Sequence, residues 1–210
     1  MRVTPVTPQR LADRIVGLVR AKSGRVRLLI DGAPPTRPGD LAFAVAERLR
    51  TDGRPVIIVS ADDFLRPASL RLERGRTDPE VFLNDWLDVG GLRREVLEPA
   101  TSHGSGRVLP RLWNVQLDRS FKASYVTLPT NGVVVLFGSL LLGRDLPADL
   151  AVHLHMSPAQ LARRIDPEQR WTLPAYNRYD IDHEPMRRAD LVVLADHPER
   201  PAVQEPQEAE

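Results

Sequence analysis

Cysteine is absent from this 210-residue sequence, which excludes disulfides and cysteine-ligated zinc and fits a reducing compartment. Excess charge is also missing, because 29 Lys and Arg residues nearly balance 28 Asp and Glu residues and leave a net charge of +1. That balance argues against broad electrostatic binding to nucleic acid or anionic membranes. No apolar run has the length of a signal peptide or a membrane span. We therefore expect a cytoplasmic protein with neither a nucleic-acid nor a membrane partner.

Lysine is almost absent as well. Lys22 and Lys122 are the only lysines, and every other basic residue is arginine. A genome that favours arginine codons explains this bias most simply. The bias still has a chemical consequence, since any cation that faces a phosphate group is then expected to be an arginine, which can bind two oxygens at once.

The apolar segments predict one α/β domain, for which 210 residues are sufficient. Val26–Ile30 is a predicted strand, followed by a helix that begins at about Gly39 and is closed by Gly53. Pro55–Val59 and Val133–Phe137 are continuous apolar runs typical of strands buried on both faces of a parallel sheet. The other main predicted elements are helices that begin near Pro8 and Pro158 and strands at 150–155 and 189–194.

A glycine turn lies between the first of these strands and its helix. Strand, glycine turn and helix N-terminus in this order commonly bind phosphate, because free backbone N–H groups and the helix dipole converge there. The usual pattern is GxxxxGK[ST], in which the lysine contacts the β- and γ-phosphates and the hydroxyl binds Mg²⁺. Here Gly32 is followed by APPTRPGD, with no lysine. The residues left to contact a phosphate are Gly32, Thr36, Arg37 and Gly39.

Two features of this turn weaken it as a phosphate site. Its three prolines have no N–H group to donate. Asp40 places a carboxylate in the first turn of the following helix, where it interacts favourably with the helix dipole and repels a phosphate.

Acidic residues follow the strand at 55–59. Polar side chains just beyond the carboxyl end of a strand are where open α/β sheets place their sites. Asp62 and Asp63 are therefore candidate site residues. The alternative is that Asp62, or its neighbour Asp63, only caps the next helical turn.

Further along the chain the signals are weaker. Residues 107–129 alternate in polarity and predict a short antiparallel excursion. Trp86 and Trp113 are expected either to stack on a ligand or to pack in the core. His153 and His155 alternate on one predicted strand and could be ligands, but no constellation of carboxylates or cysteines supports a metal site. Core or edge histidines are the favoured interpretation, and no metal site is predicted.

The order of several segments resembles the uridine kinase family of P-loop phosphotransferases. The resemblance spans residues 26–201 and rests on IDG, VSADDF, RTDPEVFLNDWLD, VVVLFGSLLL, LHMSPAQLARR and DHEPMRRADLVV. It implies a three-layer α/β P-loop NTPase fold, with a five-stranded parallel sheet, helices on both faces, a small antiparallel excursion and an Arg-rich lid at about 163–185. We expect a single domain at 1–197, followed by an acidic tail at 198–210 that is disordered.

The resemblance also implies roles for individual residues. Asp62 matches the general base that takes the proton from the 5′-hydroxyl of a nucleoside. ATP and Mg²⁺ would be the cofactors of an active enzyme, bound at the glycine turn. The implied substrate-binding residues are Phe64, Asp85, Asp88 and Trp113, and the implied lid arginines, which neutralise the transferred phosphoryl group, are Arg163, Arg164, Arg170 and Arg178.

The sequence departs from the family at two places. The glycine turn offers Arg37, Pro38 and Gly39 where the family has glycine, lysine and a hydroxyl residue, and Phe137-Gly138 replaces an acidic residue near Mg²⁺. If each missing group is worth about 2–3 kcal/mol in the transition state, catalysis is weak or lost. The hypotheses are a nucleoside-kinase-like phosphotransferase, a pseudokinase that binds a nucleoside or nucleotide in a regulatory or interaction role, and, third, a structural partner protein. The oligomeric state stays open, with a homo-oligomer as one option.

Overall fold

A computed structural model describes residues 3–204 of the chain. The strands within this range are β1 (Val3–Pro5), β2 (Val26–Gly32), β3 (Val56–Ser60), β4 (Arg107–Val108), β5 (Trp113–Asn114), β6 (Arg119–Ser120), β7 (Val126–Thr127), β8 (Val133–Gly138), β9 (Leu150–His155), β10 (Leu191–Leu194) and β11 (Ala202–Gln204).

The helices in the same range are mostly short. They are α1 (Pro8–Arg20), α2 (Pro38–Thr51), α3 (Ala68–Arg71), α4 (Pro79–Asp85), α5 (Val89–Leu92), α6 (Pro158–Arg164), α7 (Leu173–Asp182) and α8 (Pro185–Arg188). Short 3-10 helices occupy Pro34–Thr36, Ala61–Phe64 and Pro167–Thr172, and a π-helical stretch follows α5 at Arg93–Leu97. None of the helices within residues 3–204 is long and apolar enough to cross a membrane.

The central sheet contains five parallel strands in the order β3-β8-β2-β9-β10. This confirms the five-stranded parallel core expected from the sequence. Strand β2 lies in the middle, and its residues are buried except for the partly exposed Arg27. The apolar run from Leu28 to Ile30 therefore contacts core on both faces of the sheet, as its lack of alternation predicts.

Helices cover both faces of the sheet, as expected. On one face, Leu28 and Ile30 of β2 pack against α1 and α2 in a single apolar cluster. On the other face, Leu29 packs in a second cluster that includes residues of α4, α5, α6 and α7. Successive residues of β2 thus alternate between the two layers, as the pleat of a strand requires.

The antiparallel excursion is also present. Within residues 107–127, β4 pairs with β7 and β5 pairs with β6, each as a two-stranded antiparallel sheet. Within residues 3–204, the two pairs form small sheets of their own and share no strand with the central sheet.

The C-terminal segment differs from expectation. Residues 202–204 form β11, which pairs antiparallel with β10 on one side and with β1 on the other. The prediction of a disordered tail from residue 198 is therefore wrong for residues 202–204, and residues 205–210 lie outside the described part of the chain. The physical reason is Val203, which is fully buried. Burial of this side chain and pairing with the edge of β10 order the segment, although its acidic, proline-containing composition favours disorder. The domain boundary at 197 otherwise stays a prediction.

We expect Val203→Ala to lower the free energy of unfolding by about 2 kcal/mol, because truncation of a buried aliphatic side chain loses transfer energy and leaves a cavity. Val3→Ala is the matched control, since Val3 lies in β1 and is 40% exposed. Its effect should stay within about 0.5 kcal/mol. Chemical denaturation of both variants is the measurement, and equal stability of Val203→Ala and wild type would contradict the placement of β11.

Candidate active site

A cavity of about 380 Å³ opens at the carboxyl edge of the parallel sheet. Pro34 and Pro35 after β2, Ala61 and Asp62 after β3, and Ser139 after β8 all line it. Open α/β sheets place their sites at this edge, and the volume is in the range of small-molecule pockets. We call this cavity the Asp62 pocket.

Helix α4 and the predicted lid form another wall of the Asp62 pocket. Phe82, Trp86, Gln169, Thr172 and Tyr176 contribute to it. The Phe82 ring of α4 lies 5.5 Å from the ring of Trp171 and 5.9 Å from that of Tyr176, both in the predicted lid and both in edge-on geometry. Because such aromatic pairs add about 0.5–1.5 kcal/mol each to the burial of their surface, they hold the lid against α4.

Asp62 is the second residue of the 3-10 turn after β3, and its N–H donates to Ser60 Oγ at 3.3 Å. The side chain keeps access to solvent through the open side of the pocket. The surrounding protein nevertheless desolvates the carboxylate, which raises the pKa of Asp62, and the negative charge of Asp63 raises it further. A carboxylate with a raised pKa is a better proton acceptor than an ordinary one.

Asp63 has a different environment. Its carboxylate lies 3.2 Å from Arg111 Nε in an ion pair. Burial raises the pKa of Asp63, and the charge of Arg111 opposes that rise. Of the two neighbouring acids, Asp62 lines the pocket and Asp63 is bound to Arg111.

Two arginines line the pocket, Arg144 and Arg164. Arg144 follows β8 and donates to the carbonyl oxygen of Asn84 at 2.9 Å. Its partial burial lowers the pKa of the guanidinium. The sequence analysis missed Arg144, although its place shortly after a core strand is the same signal that identified Asp62. Both guanidinium groups are suited to bind an anionic group of a ligand.

The other predicted lid arginines lie elsewhere. Arg163 and Arg170 are exposed and do not line the Asp62 pocket. Arg178 pairs with Asp182 at 2.5 Å, one turn along α7, and lies 4.0 Å from Glu80 of α4. Of the four lid arginines expected from the sequence, Arg164 is the one that the structure brings to the pocket.

The four predicted substrate-binding residues lie outside the pocket lining. Phe64 is fully buried in the core. Asp88 caps α5 by accepting the N–H of Gly91 at 2.8 Å. The indole of Trp113 donates to Asp118 at 3.1 Å, and Asp85 lies 3.8 Å from Arg66. Of the two tryptophans considered for stacking, Trp86 reaches the pocket.

The glycine turn, loop 32–39, is closed by its own hydrogen bonds. The N–H of Thr36 donates to the Ala33 carbonyl at 2.8 Å, and the N–H of Arg37 donates to the Pro34 carbonyl at 3.0 Å. The Thr36 hydroxyl also donates to Ala33, at 2.7 Å. A Cβ on Gly32 would lie 2.4 Å from Thr36 Oγ1, so the Thr36 side chain fills the space above Gly32.

Arg37 and Gly39 are engaged on other sides of the same loop. The Arg37 guanidinium pairs with Asp40 at 2.5 Å and with Glu199 of the C-terminal segment. None of these three residues lines the Asp62 pocket. Gly39 lies against Phe137, since a Cβ at position 39 would be 3.1 Å from the Phe137 ring. The aromatic residue that replaces the family's acid therefore packs against the first turn of α2.

No protein-family model and no curated protein matches the sequence. Among solved structures, it is similar to a possible uridine kinase from Bacillus stearothermophilus, with 22% identity over 87% of this chain and 98% of that one and a TM-score of 0.68. A candidate fructose transport system kinase from Silicibacter sp. TM1040 has 24% identity over 88% of this chain and 90% of that one, with a TM-score of 0.60. The fold is that of a P-loop kinase.

In a P-loop kinase fold, the turn between a central strand and its helix is the phosphate-binding position. Here that position is loop 32–39, between β2 and α2. Its departures from the usual pattern therefore fall at the position that binds phosphate in kinases of this fold. The Asp62 pocket lies beside it, and the two share Pro34 and Pro35.

We expect the pKa of Asp62 to lie above the ordinary aspartate value of about 3.9. Asp63→Asn should lower it, because a repelling charge is removed, but not to the ordinary value, because desolvation is the larger cause. Asp85→Asn is the control and should leave it unchanged. Carboxyl ¹³C NMR titration measures the Asp62 pKa in the wild type and in both variants. A wild-type Asp62 pKa at or below the ordinary value would refute this account of the pocket.

Proposed function

We propose that this chain is a small-molecule-binding protein of P-loop kinase fold that has lost most or all of its phosphoryl-transfer activity. It binds a nucleoside, or a similar molecule with several hydroxyl groups, in the Asp62 pocket. The observation that carries the proposal is the contrast between loop 32–39, which is filled by the Thr36 side chain, and the open pocket next to it.

The backbone of loop 32–39 has little left to offer a phosphate. A working loop turns a series of N–H groups towards the ligand. Here three of the residues are prolines, and the N–H groups of Thr36 and Arg37 already donate within the loop. The ion pairs of Arg37 hinder phosphate binding less, because exposed ion pairs contribute only about 0–1 kcal/mol each and are easily broken. The filled space and the missing donors are what exclude the phosphate.

The chemistry lost with the lysine, the hydroxyl and the acid is large. At about 2–3 kcal/mol each, these groups together account for about 6–9 kcal/mol of transition-state stabilisation. That corresponds to a loss of about 10⁴- to 10⁶-fold in rate. Arg144 and Arg164 would recover part of this loss only if they reached the transferred group.

The pocket suits a small planar ligand with polar substituents. Trp86 and Tyr176 offer aromatic surface for a base or ring. Asp62 and Gln169 offer hydrogen-bonding groups for hydroxyls, and Arg144 offers a cation. Three similar solved structures are described as a possible uridine kinase, a candidate fructose transport system kinase and a D-glycerate 3-kinase. Uridine and glycerate are small hydroxylated molecules, and we extend that class to the present pocket.

A second candidate is a weak nucleoside kinase. It is favoured by Asp62, whose raised pKa and place at the pocket suit a general base for a substrate hydroxyl. In this candidate, the transferred phosphoryl group would lie near Arg144 and Arg164, and ATP and Mg²⁺ would bind without the usual loop contacts.

Calorimetric titration distinguishes the two candidates. We expect uridine or another nucleoside to bind the wild type, and Mg·ATP to bind no more tightly than millimolar, because loop 32–39 lacks donors. Trp86→Ala should weaken nucleoside binding about tenfold or more, since stacking of a base on an aromatic side chain is worth about 1–3 kcal/mol. Trp113→Ala is the matched control, because Trp113 lies outside the pocket.

Sub-millimolar binding of Mg·ATP would contradict the proposal and favour the weak kinase. Equal losses of nucleoside affinity in Trp86→Ala and Trp113→Ala would remove the pocket as the binding site. Trp86→Phe, which keeps an aromatic face, should bind more tightly than Trp86→Ala and shows that the loss is not a folding defect.

A further inference from the structure

Two histidines and an aspartate meet behind loop 32–39, in a small cavity separate from the Asp62 pocket. His153 and His155 are alternate residues of β9 and so lie on one face of the sheet. Asp180 reaches them from α7, and one ligand atom from each of the three residues lies within 4.8 Å of the other two. All three line a cavity of about 20 Å³, which we call the histidine cavity. That volume holds about one water-sized occupant.

Asp31 fixes the orientation of His153. Its carboxylate lies 2.7 Å from His153 Nδ1 and is fully buried. The same carboxylate accepts the N–H of Leu141 at 2.9 Å and the O–H of Tyr179 at 3.0 Å. An acceptor held in this way requires a proton on Nδ1, so the lone pair of a neutral His153 is on Nε2. A carboxylate behind a histidine in this manner is the usual second partner of a metal-ligating imidazole.

His153 Nε2 has no partner. It is buried, and no hydrogen-bonding group within residues 3–204 satisfies it. Only 4% of the residue is exposed. Native proteins seldom retain an unsatisfied buried polar atom without a ligand or a bound water.

The charges of the histidine cavity favour a cation. Asp31 and Asp180 both line it, and none of the described residues that line it is lysine or arginine. Two aspartate side chains in a small volume without a basic side chain suit a divalent cation. Nitrogen ligands select zinc-like transition metals over Mg²⁺ and Ca²⁺, which prefer oxygen.

We propose that His153, His155 and Asp180 bind a divalent transition-metal ion of the Zn²⁺ class, with Asp31 orienting His153 from behind. Three protein ligands leave a further coordination position for water or an anion. Metal bonds of about 2.0–2.1 Å place neighbouring ligand atoms about 3.3 Å apart, so side-chain rotations at His155 and Asp180 would close the site. The ion would join β9 of the sheet to α7 of the lid. The proposal does not depend on the ligand of the Asp62 pocket.

The test uses the untagged full chain after chelator treatment, titrated with Zn²⁺ in competition with a chromophoric chelator. We expect one Zn²⁺ per chain, and visible absorption bands when Co²⁺ is bound in its place. Loss of a hydrogen-bonding partner behind a metal ligand commonly lowers the metal affinity by about 10- to 100-fold. Tyr179→Phe, which removes a hydrogen bond to Asp31, should therefore bind about tenfold more weakly, and His155→Ala and Asp180→Asn at least about 100-fold more weakly.

His103→Ala is the matched control, since His103 lies in an exposed loop away from the histidine cavity, and its affinity should equal that of the wild type. Circular dichroism shows whether each variant is folded, and Asp180→Asn preserves the size of its side chain if His155→Ala is unstable. Zinc binding by folded Asp180→Asn as tight as by wild type would overturn the proposal, as would a wild type that binds Mg²⁺ as tightly as Zn²⁺.

Discussion

The buried carboxylate of Asp31 joins the parts of the chain that form the site. It sits in β2 immediately before loop 32–39 and accepts hydrogen bonds from the segment after β8, from β9 and from α7. Each of these partners would otherwise leave a polar group unsatisfied in the core, at about 1–3 kcal/mol apiece. The hydrogen bond from Tyr179 helps to fix α7 relative to the sheet, together with the aromatic contacts of Phe82 with the lid, and so contributes to the shape of the Asp62 pocket.

Loop 32–39 is closed by its own hydrogen bonds, whereas the adjacent Asp62 pocket is open. In the loop, Thr36 and Arg37 direct their N–H groups to carbonyls of the same turn. These two N–H groups are therefore satisfied within the turn. Pro34 and Pro35 of the same turn line the pocket with apolar surface. The chain has the fold of a P-loop kinase. In the proposed function, loop 32–39 does not bind phosphate and the adjacent Asp62 pocket binds the ligand.

Much of the fold could be predicted from local pattern. Continuous apolar runs identified the parallel strands, because a strand buried on both faces needs no alternation. Val203 escaped prediction since a single buried side chain in an acidic segment gives no periodic signal. The edge of β10 that it covers is visible only in the folded sheet.

The site was less predictable than the fold. Asp62 could be found from its place after a strand, and Arg144 carries the same signal but was missed. Asp88 and Trp113 resemble ligand-binding residues in sequence, yet one caps a helix and the other bonds to Asp118 in a hairpin. The partners of His153 could not be found at all, because Asp31 and Asp180 are brought to it from distant parts of the chain.

Amide hydrogen exchange at Thr36 and Arg37 tests most directly whether the loop is closed to phosphate. Both N–H groups are hydrogen-bonded within the loop, so they should be protected in the free protein and remain so, to the same extent, in millimolar Mg·ATP. Unprotected amides that become protected when Mg·ATP is added would show a loop that opens to a phosphate, and would contradict the account.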